Sequence, residues 1–217
     1  ASEAMENGKT HYTPATGIPE LKEAIVEYYK THFELEYDPG QVIVGTGVKP
    51  LLFEAMGCLL DEGDEVIVFA PAWVSYVEQI RLFGGKEVIL DTSETSYMPD
   101  MEKLRKAITP RTKCMILNTP NNPTGCVYTP ETLLGIAEIA LEHNVLIIYD
   151  EIYERLVYGD AVHHQIVQLD PRIKDLTLVL NGVSKAYAMT GWRIGYGMGP
   201  VELISKMAAI QGHMTSN

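Results

Sequence analysis

Apolar residues along this chain recur with two different periods. Leu21, Ala24, Ile25, Tyr28 and Tyr29 fall at i, i+3, i+4, i+7 and i+8, which puts them on one face of a helix. Leu133, Ile136, Ala137, Ala140 and Leu141 repeat that spacing. The second segment has a legible start: Thr129 as cap, Pro130 in the first helical position and Glu131 in the first turn. A further helical run covers Leu51 to Leu60. Between such segments lie short continuous apolar runs, from Val42 to Val44, Val66 to Phe69, Cys114 to Leu117, Val145 to Tyr149 and Leu176 to Leu180. Runs of that length predict strands buried on both faces. Alternating with amphipathic helices, they predict an α/β fold, a mostly parallel central sheet with helices on both faces. No internal repeat or low-complexity linker breaks the pattern, and the loops near 38–40 and 160–170 do not read as domain boundaries.

Polar chemistry collects where these runs end. Val44 is followed by Gly45-Thr46-Gly47, Phe69 by Ala70-Pro71-Ala72-Trp73, and Leu117 by Asn118-Thr119-Pro120-Asn121-Asn122-Pro123-Thr124-Gly125. Tyr149 is followed by Asp150-Glu151-Ile152-Tyr153, and Leu180 by Asn181-Gly182-Val183-Ser184-Lys185. In an open parallel sheet these points share one edge, where ligands bind. Each motif also has a plainer reading. Gly45-Thr46-Gly47 is a structural turn, or a helix start whose free N–H groups favour a phosphate. It is neither a P-loop nor a dinucleotide fingerprint. Asp150 is a cap or turn residue, or a buried carboxylate that needs a partner; without a P-loop, a magnesium-binding role has little support. Lys185 is a solvated surface lysine or, in a desolvated cationic pocket, a nucleophile toward carbonyls.

Composition narrows the partners. The chain has 217 residues, 46% of them hydrophobic, enough for one sizeable α/β core. Its formal net charge is −12, which disfavours nucleic acid and anionic membrane as main partners. No apolar run approaches the ~20 residues of a membrane span. Cys58, Cys114 and Cys126 are odd in number and lack metal-ligand spacing, as expected of free thiols in a reducing cytoplasm. No metal site is expected.

Taken in order, four motifs carry a likeness. Ser184-Lys185-Ala186-Tyr187-Ala188-Met189-Thr190-Gly191-Trp192-Arg193-Ile194-Gly195-Tyr196 resembles the lysine signature of class I aminotransferases. Asn118 to Gly125 resembles the Asn-Asn-Pro-Thr-Gly loop of that family, Asp150 to Tyr153 its Asp-Glu-x-Tyr motif, and His11 to Pro19 its Tyr-x-Pro-x-x-Gly segment. The chain is thereby identified as similar to the class I/II pyridoxal-phosphate-dependent aminotransferases of fold type I, nearest to their prokaryotic aspartate-aminotransferase-like subgroup.

The resemblance implies a cofactor, pyridoxal 5'-phosphate, and a role for each residue. Lys185 would hold the cofactor as an imine and shuttle the substrate proton. Asp150 would pair with the pyridinium nitrogen and keep the ring an electron sink. Tyr153 and Asn122 would hydrogen-bond the ring's phenolate oxygen. Trp73 would stack on the ring, its other reading being a core tryptophan. Arg193 would grip the phosphate, with backbone donors from Gly47 and Val48. Tyr12 would reach the phosphate of a neighbouring subunit in a homodimer, or else is a packed aromatic. Lys49 would meet a substrate's distal carboxylate, or else is a surface lysine. Pro71 and Pro123 sit where the family has cis peptides. One departure lies at Gly182, where some members carry a phosphate-binding serine; Ser184 is placed to take over part of that contact.

The family runs on beyond Asn217 into a small C-terminal domain that holds the arginine for the substrate α-carboxylate. Residues 1–217 are thus expected to be the cofactor-binding large domain, lacking segments at both ends. The implied activity is amino transfer between an amino acid, with aspartate as a candidate, and a 2-oxo acid; residues 1–217 alone are expected to hold the cofactor-binding groups but not a complete substrate site, and so to be inactive in isolation. Two alternatives stay open: a fold-type I carbon–sulfur β-lyase, and a non-catalytic sensor that binds the cofactor.

Overall fold

Four helix starts, at Pro19, Met101, Pro130 and Ile166, are set by proline or by a side-chain cap. Pro19 opens α2 (Pro19–Phe33), after the short α1 (Ser2–Glu6). Pro130 opens α6 (Pro130–His143), whose cap Thr129 accepts a hydrogen bond from the Thr132 N–H. Asp100 caps α5 (Met101–Ala107) through the N–H groups of Glu102 and Lys103. Asn144 ends α6 in the left-handed conformation that asparagine tolerates. The other helices are α3 (Val48–Leu59), α4 (Val74–Leu82), α7 (Ile166–Leu169), α8 (Val183–Ala186) and α9 (Val201–Met214). This computed structural model describes residues 1–215; Ser216 and Asn217, at the point where the sequence stops, lie outside the described residues.

The strands are β1 (Val42–Gly45), β2 (Glu65–Ala70), β3 (Lys86–Asp91), β4 (Thr112–Asn118), β5 (Leu146–Asp150), β6 (Thr177–Gly182) and β7 (Gly195–Met198). They form one sheet in the order β1-β7-β6-β5-β4-β2-β3. Pairs from β3 across to β6 are parallel, whereas β7 is antiparallel to both β1 and β6. Because β7 alone is reversed, the carboxyl ends of β1, β2, β4, β5 and β6 do lie along one edge. The expected architecture is present, with two additions. Strand β3 was hidden by its partly exposed edge position and by Lys86, Glu87 and Asp91, charges typical of an edge. Strand β7, Gly-Tyr-Gly-Met, has no strand-like pattern because its glycines serve close packing.

Alternate residues of the central strands feed two cores. Ile67, Met115, Leu117, Ile147, Tyr149 and Val179 pack with α2, α6 and α7 on one face. Val66, Val68, Cys114, Ile116, Ile148, Leu178 and Leu180 pack with α3, α4 and α9 on the other. Both faces are therefore covered, and polar groups of the strand ends can converge only at the open edge. The three cysteines are free, and burial pushes the Cys114 thiol up to about 12. No helix among the described residues is long and apolar enough to cross a membrane.

Candidate active site

At that edge the strand-end loops enclose a cavity of about 330 Å³, within the size range of small-molecule and cofactor pockets. Val48, Lys49, Trp73, Asn122, Asp150, Tyr153, Ser184, Lys185 and Arg193 all line it. Nine of the eleven residues singled out from the sequence thus meet in one place. Gly47 lies directly behind Arg193. Tyr12 does not join them: it is 88% exposed and lines a separate shallow recess with Thr13, Ala15, Gly212 and Thr215.

Asp150, the last residue of β5, sits at the floor. It is 2% exposed, and burial raises its carboxyl to about 6, against the lowering effect of two hydrogen bonds. Those come from the Tyr76 hydroxyl to Oδ2, at 2.6 Å, and from the Ile152 N–H to Oδ1, at 3.2 Å. Each carboxylate oxygen thus accepts one hydrogen bond, and a cation in the cavity would stabilise the charged form further. Asn118, ending β4, ties the floor together: its Nδ2 donates to the Asp150 carbonyl at 3.0 Å, and its Oδ1 accepts from the Asn122 N–H at 2.7 Å. Asn122 Nδ2 in turn donates to the Tyr153 hydroxyl at 3.3 Å. Burial, and then the nearby Asp150 charge, raise the Tyr153 hydroxyl pKa.

Sequence reasoning gave no role to Tyr76, Asn118, Ile152 or Thr190, which also line the cavity. Tyr76 was detectable in principle, since it lies three residues after Trp73, the N-cap of α4, in the first turn of that helix. The two rings meet edge to face at 5.5 Å. Lys49 Nζ lies 4.8 Å from the Trp73 ring centroid, and Lys185 Nζ lies 5.6 Å from that of Tyr153. The peptide bonds preceding Pro71 and Pro123 are both cis, as is that preceding Pro120.

The opposite wall is built by glycine. Gly47 caps α3 with φ of 102°, and a Cβ there would come within 2.5 Å of Arg193 Nη2. The guanidinium therefore occupies space that any side chain at position 47 would fill. Gly195 lets β7 start against the same turn, since a Cβ would come within 2.5 Å of the Val48 nitrogen. Arg193 donates to the Thr190 carbonyl at 2.7 Å and the Thr46 carbonyl at 3.1 Å, which aims it at the start of α3. A helix start and a guanidinium together make an anion cradle. The Gly182 departure has a local cause: a Cβ there would lie 2.8 Å from the Ile194 carbonyl oxygen, so position 182 has no room for serine. Ser184, on α8, lines the cavity instead.

A parallel-sheet edge that presents a lysine, a buried aspartate and a helix start beside a guanidinium is an arrangement suited to an anionic ligand. The aminotransferase class I and II family model matches residues 1–217, and the chain belongs to that family. Pyridoxal 5'-phosphate is the cofactor of this family, and the donor set fits it: an amine, a carboxylate lacking a cation, and a cradle that a Cβ would fill. Over its full length the chain is 50% identical to the aspartate aminotransferase of Bacillus sp. strain YM-2, covering 56% of that protein. It is 46% identical to the aspartate/prephenate aminotransferase of Thermus thermophilus, again covering 56%. Among solved structures, the Thermus thermophilus aspartate aminotransferase with maleate superposes on the whole chain with a TM-score of 0.95 at 45% identity, 56% of that structure being covered. The Rhizobium meliloti aspartate aminotransferase gives 0.96 at 44% identity, with 99% and 54% covered. The chain therefore spans little more than half the length of the relatives it matches, with the fold type I architecture throughout.

Proposed function

We propose that the protein carrying this chain is a transaminase that moves an amino group between an amino acid and a 2-oxo acid, with residues 1–217 as its large, cofactor-binding domain. The observation that carries the reading is the meeting of Lys185, Asp150, Asn122, Tyr153 and Arg193 around one cavity. Pyridoxal phosphate supplies an aldehyde for an amine and a ring that withdraws electrons from the substrate Cα. Lys185 would hold the cofactor through its Nζ and would move the proton at the substrate Cα. The Asp150 carboxylate holds a proton at the ring nitrogen, and burial beside that cation satisfies a charge otherwise costly here. Tyr153 and Asn122 donate to the ring oxygen. Arg193, the N–H groups of Gly47 and Val48, and Ser184 bind the phosphate. Trp73 covers the ring face.

Lys49 stands at the cavity rim, held over Trp73, where an ammonium can meet a distal carboxylate. Relatives named for aspartate, and one solved with maleate, a dicarboxylate, support an acidic substrate such as aspartate. We further propose a homodimer in which Tyr12, projecting from the fold, reaches the neighbouring phosphate, and a cytoplasmic setting consistent with three free thiols. Neither a β-lyase nor a sensor is favoured by the relatives.

The test is an absorbance spectrum of the protein with pyridoxal phosphate, beside Lys185→Ala. A visible band that survives dialysis, is absent in the variant and is discharged by aspartate supports the reading. A folded wild type without the band refutes it.

A further inference from the structure

Behind the cavity floor lies a buried polar cluster that this chemistry does not use. Glu151 follows Asp150 directly and is fully buried. Its Oε1 accepts a hydrogen bond from the Tyr29 hydroxyl at 2.5 Å, and its Oε2 lies 2.9 Å from His163 Nε2. The Tyr29 oxygen also accepts from Asn181 Nδ2 at 3.0 Å. Asn181 Oδ1 in turn accepts from the N–H of Gly182, the residue that caps α8 and leads to Lys185. One hydroxyl, on a helix outside the cavity, therefore joins two strand ends. One end delivers Asp150 and Tyr153, the other Lys185.

The bonding of the Tyr29 hydroxyl fixes geometry. The phenol donates its only proton to a carboxylate and uses a lone pair for the amide, so neither strand end can shift without breaking a buried bond. The ring cannot follow such a shift, because Phe33, Tyr37 and Tyr196 pack around it at centroid distances of 5.4, 6.4 and 6.3 Å. The cluster is not a packing requirement of every phenol there: the Tyr37 hydroxyl, in the same aromatic group, is buried with no partner.

We propose that Tyr29 and Glu151 are positioning residues: the Tyr29 hydroxyl sets the spacing between the strand ends that carry Asp150 and Lys185, while His163 secures the same carboxylate from the 159–165 loop. The proposal rests on the cofactor roles given above to Lys185 and Asp150. A displacement well under 1 Å between those two groups is enough to misalign a reacting atom, and errors of about 1 Å cost on the order of 100-fold in rate.

The experiment compares Tyr29→Phe, Asn181→Ala and Tyr37→Phe in the whole protein, well below the melting temperature, with Lys185→Ala as reference. The readouts are the dissociation constant for pyridoxal phosphate and the visible circular dichroism of the bound chromophore, which reports its orientation in the site. Tyr29→Phe is expected to weaken cofactor binding about tenfold, change the dichroism and lower kcat more than it raises KM. Asn181→Ala breaks the β6 half of the same link, should act in the same direction, and decides the matter if Tyr29→Phe fails to fold. Tyr37→Phe is expected to match wild type. Wild-type affinity and dichroism in folded Tyr29→Phe and Asn181→Ala would overturn the proposal, whatever the loss of stability. A visible band retained in Lys185→Ala would instead overturn the reading beneath it.

Discussion

Glu54 offers a sharp test of how this fold handles a buried charge. It lies on α3, fully buried, and neither carboxylate oxygen has a hydrogen-bond partner. Burial raises its carboxyl from 4.5 to about 8. Between those values the folded state holds a proton that the unfolded state has released, so stability falls as pH rises through that window and levels off above about 8. From pH 6 to 9 the shift corresponds to about 3 kcal/mol; local relaxation and water entry reduce such penalties, leaving about 2 kcal/mol. Glu54→Met fills a similar volume and removes the titration. For a domain of this size ~2 kcal/mol is roughly 4–8 °C in melting temperature. Melting curves at pH 6 and 9 should show wild type losing that much more than the variant between the two pH values, with the variant more stable at pH 9. Taking the difference between proteins cancels groups common to both, including Asp150, which is about half ionised at pH 6 and completes its titration within the window. Equal losses in the two proteins would refute the reasoning, because they would mean that Glu54 does not carry the proton.

Four further outcomes follow from the geometry. Gly47→Ala forces a Cβ against Arg193 at φ of 102°, a strain of about 1–2 kcal/mol before any displacement, and should weaken pyridoxal-phosphate binding by about tenfold or more in an equilibrium titration. Tyr76→Phe removes a donor that lowers the Asp150 pKa, so that pKa should move above about 6; NMR of carboxyl-labelled aspartate reads it, and a downward shift would contradict the assignment. Gly182→Ser should fail to bind cofactor better despite its added hydroxyl, and should lower the melting temperature, because its Cβ meets the Ile194 carbonyl. Thr129→Ala should cost about 0.5–1 kcal/mol of unfolding free energy, at the low end for a cap because the bond to Thr132 is a long 3.3 Å, and leave cofactor affinity unchanged.

Much of the site was legible because its chemistry is tied to strand ends. A continuous apolar run followed by Asp, Asn, Gly or Lys marks both a buried strand and the edge at which it stops, so the apolar pattern alone brings Asp150, Asn122 and Lys185 to one edge. What stayed illegible depends on contacts between segments far apart in the chain. Strand β7 is specified by Gly195 packing against the Gly47–Val48 turn, a steric demand with no periodic signature. Tyr76 reads as an ordinary buried aromatic of α4 until Asp150 is seen 2.6 Å from its hydroxyl. Tyr29 belongs to a helix-face repeat that explains its ring, and nothing local indicates that its oxygen bridges two strands. Tyr12 is the reverse case: the motif marked it, and this chain alone gives it no partner in the cavity.

The positions of Asp150 and Glu151 show how one turn serves two opposed needs. Successive residues of a strand point to opposite faces, so two adjacent carboxyls at a strand end are directed apart. Asp150 faces the cavity, where burial raises its carboxyl to about 6; under the proposed function a ring protonated at nitrogen would be its partner. Glu151 faces the α2 side, where Tyr29 and His163 supply its two oxygens from the protein itself. Under the proposed roles, exchanging the two environments would disable both. A fully satisfied Asp150 would not draw a cation, and an unsatisfied Glu151 would place a mobile charge behind the residue that must stay still. The turn therefore opens one carboxyl to the cavity and ties the next to the core, and under the proposed roles that asymmetry separates binding from support within two consecutive residues.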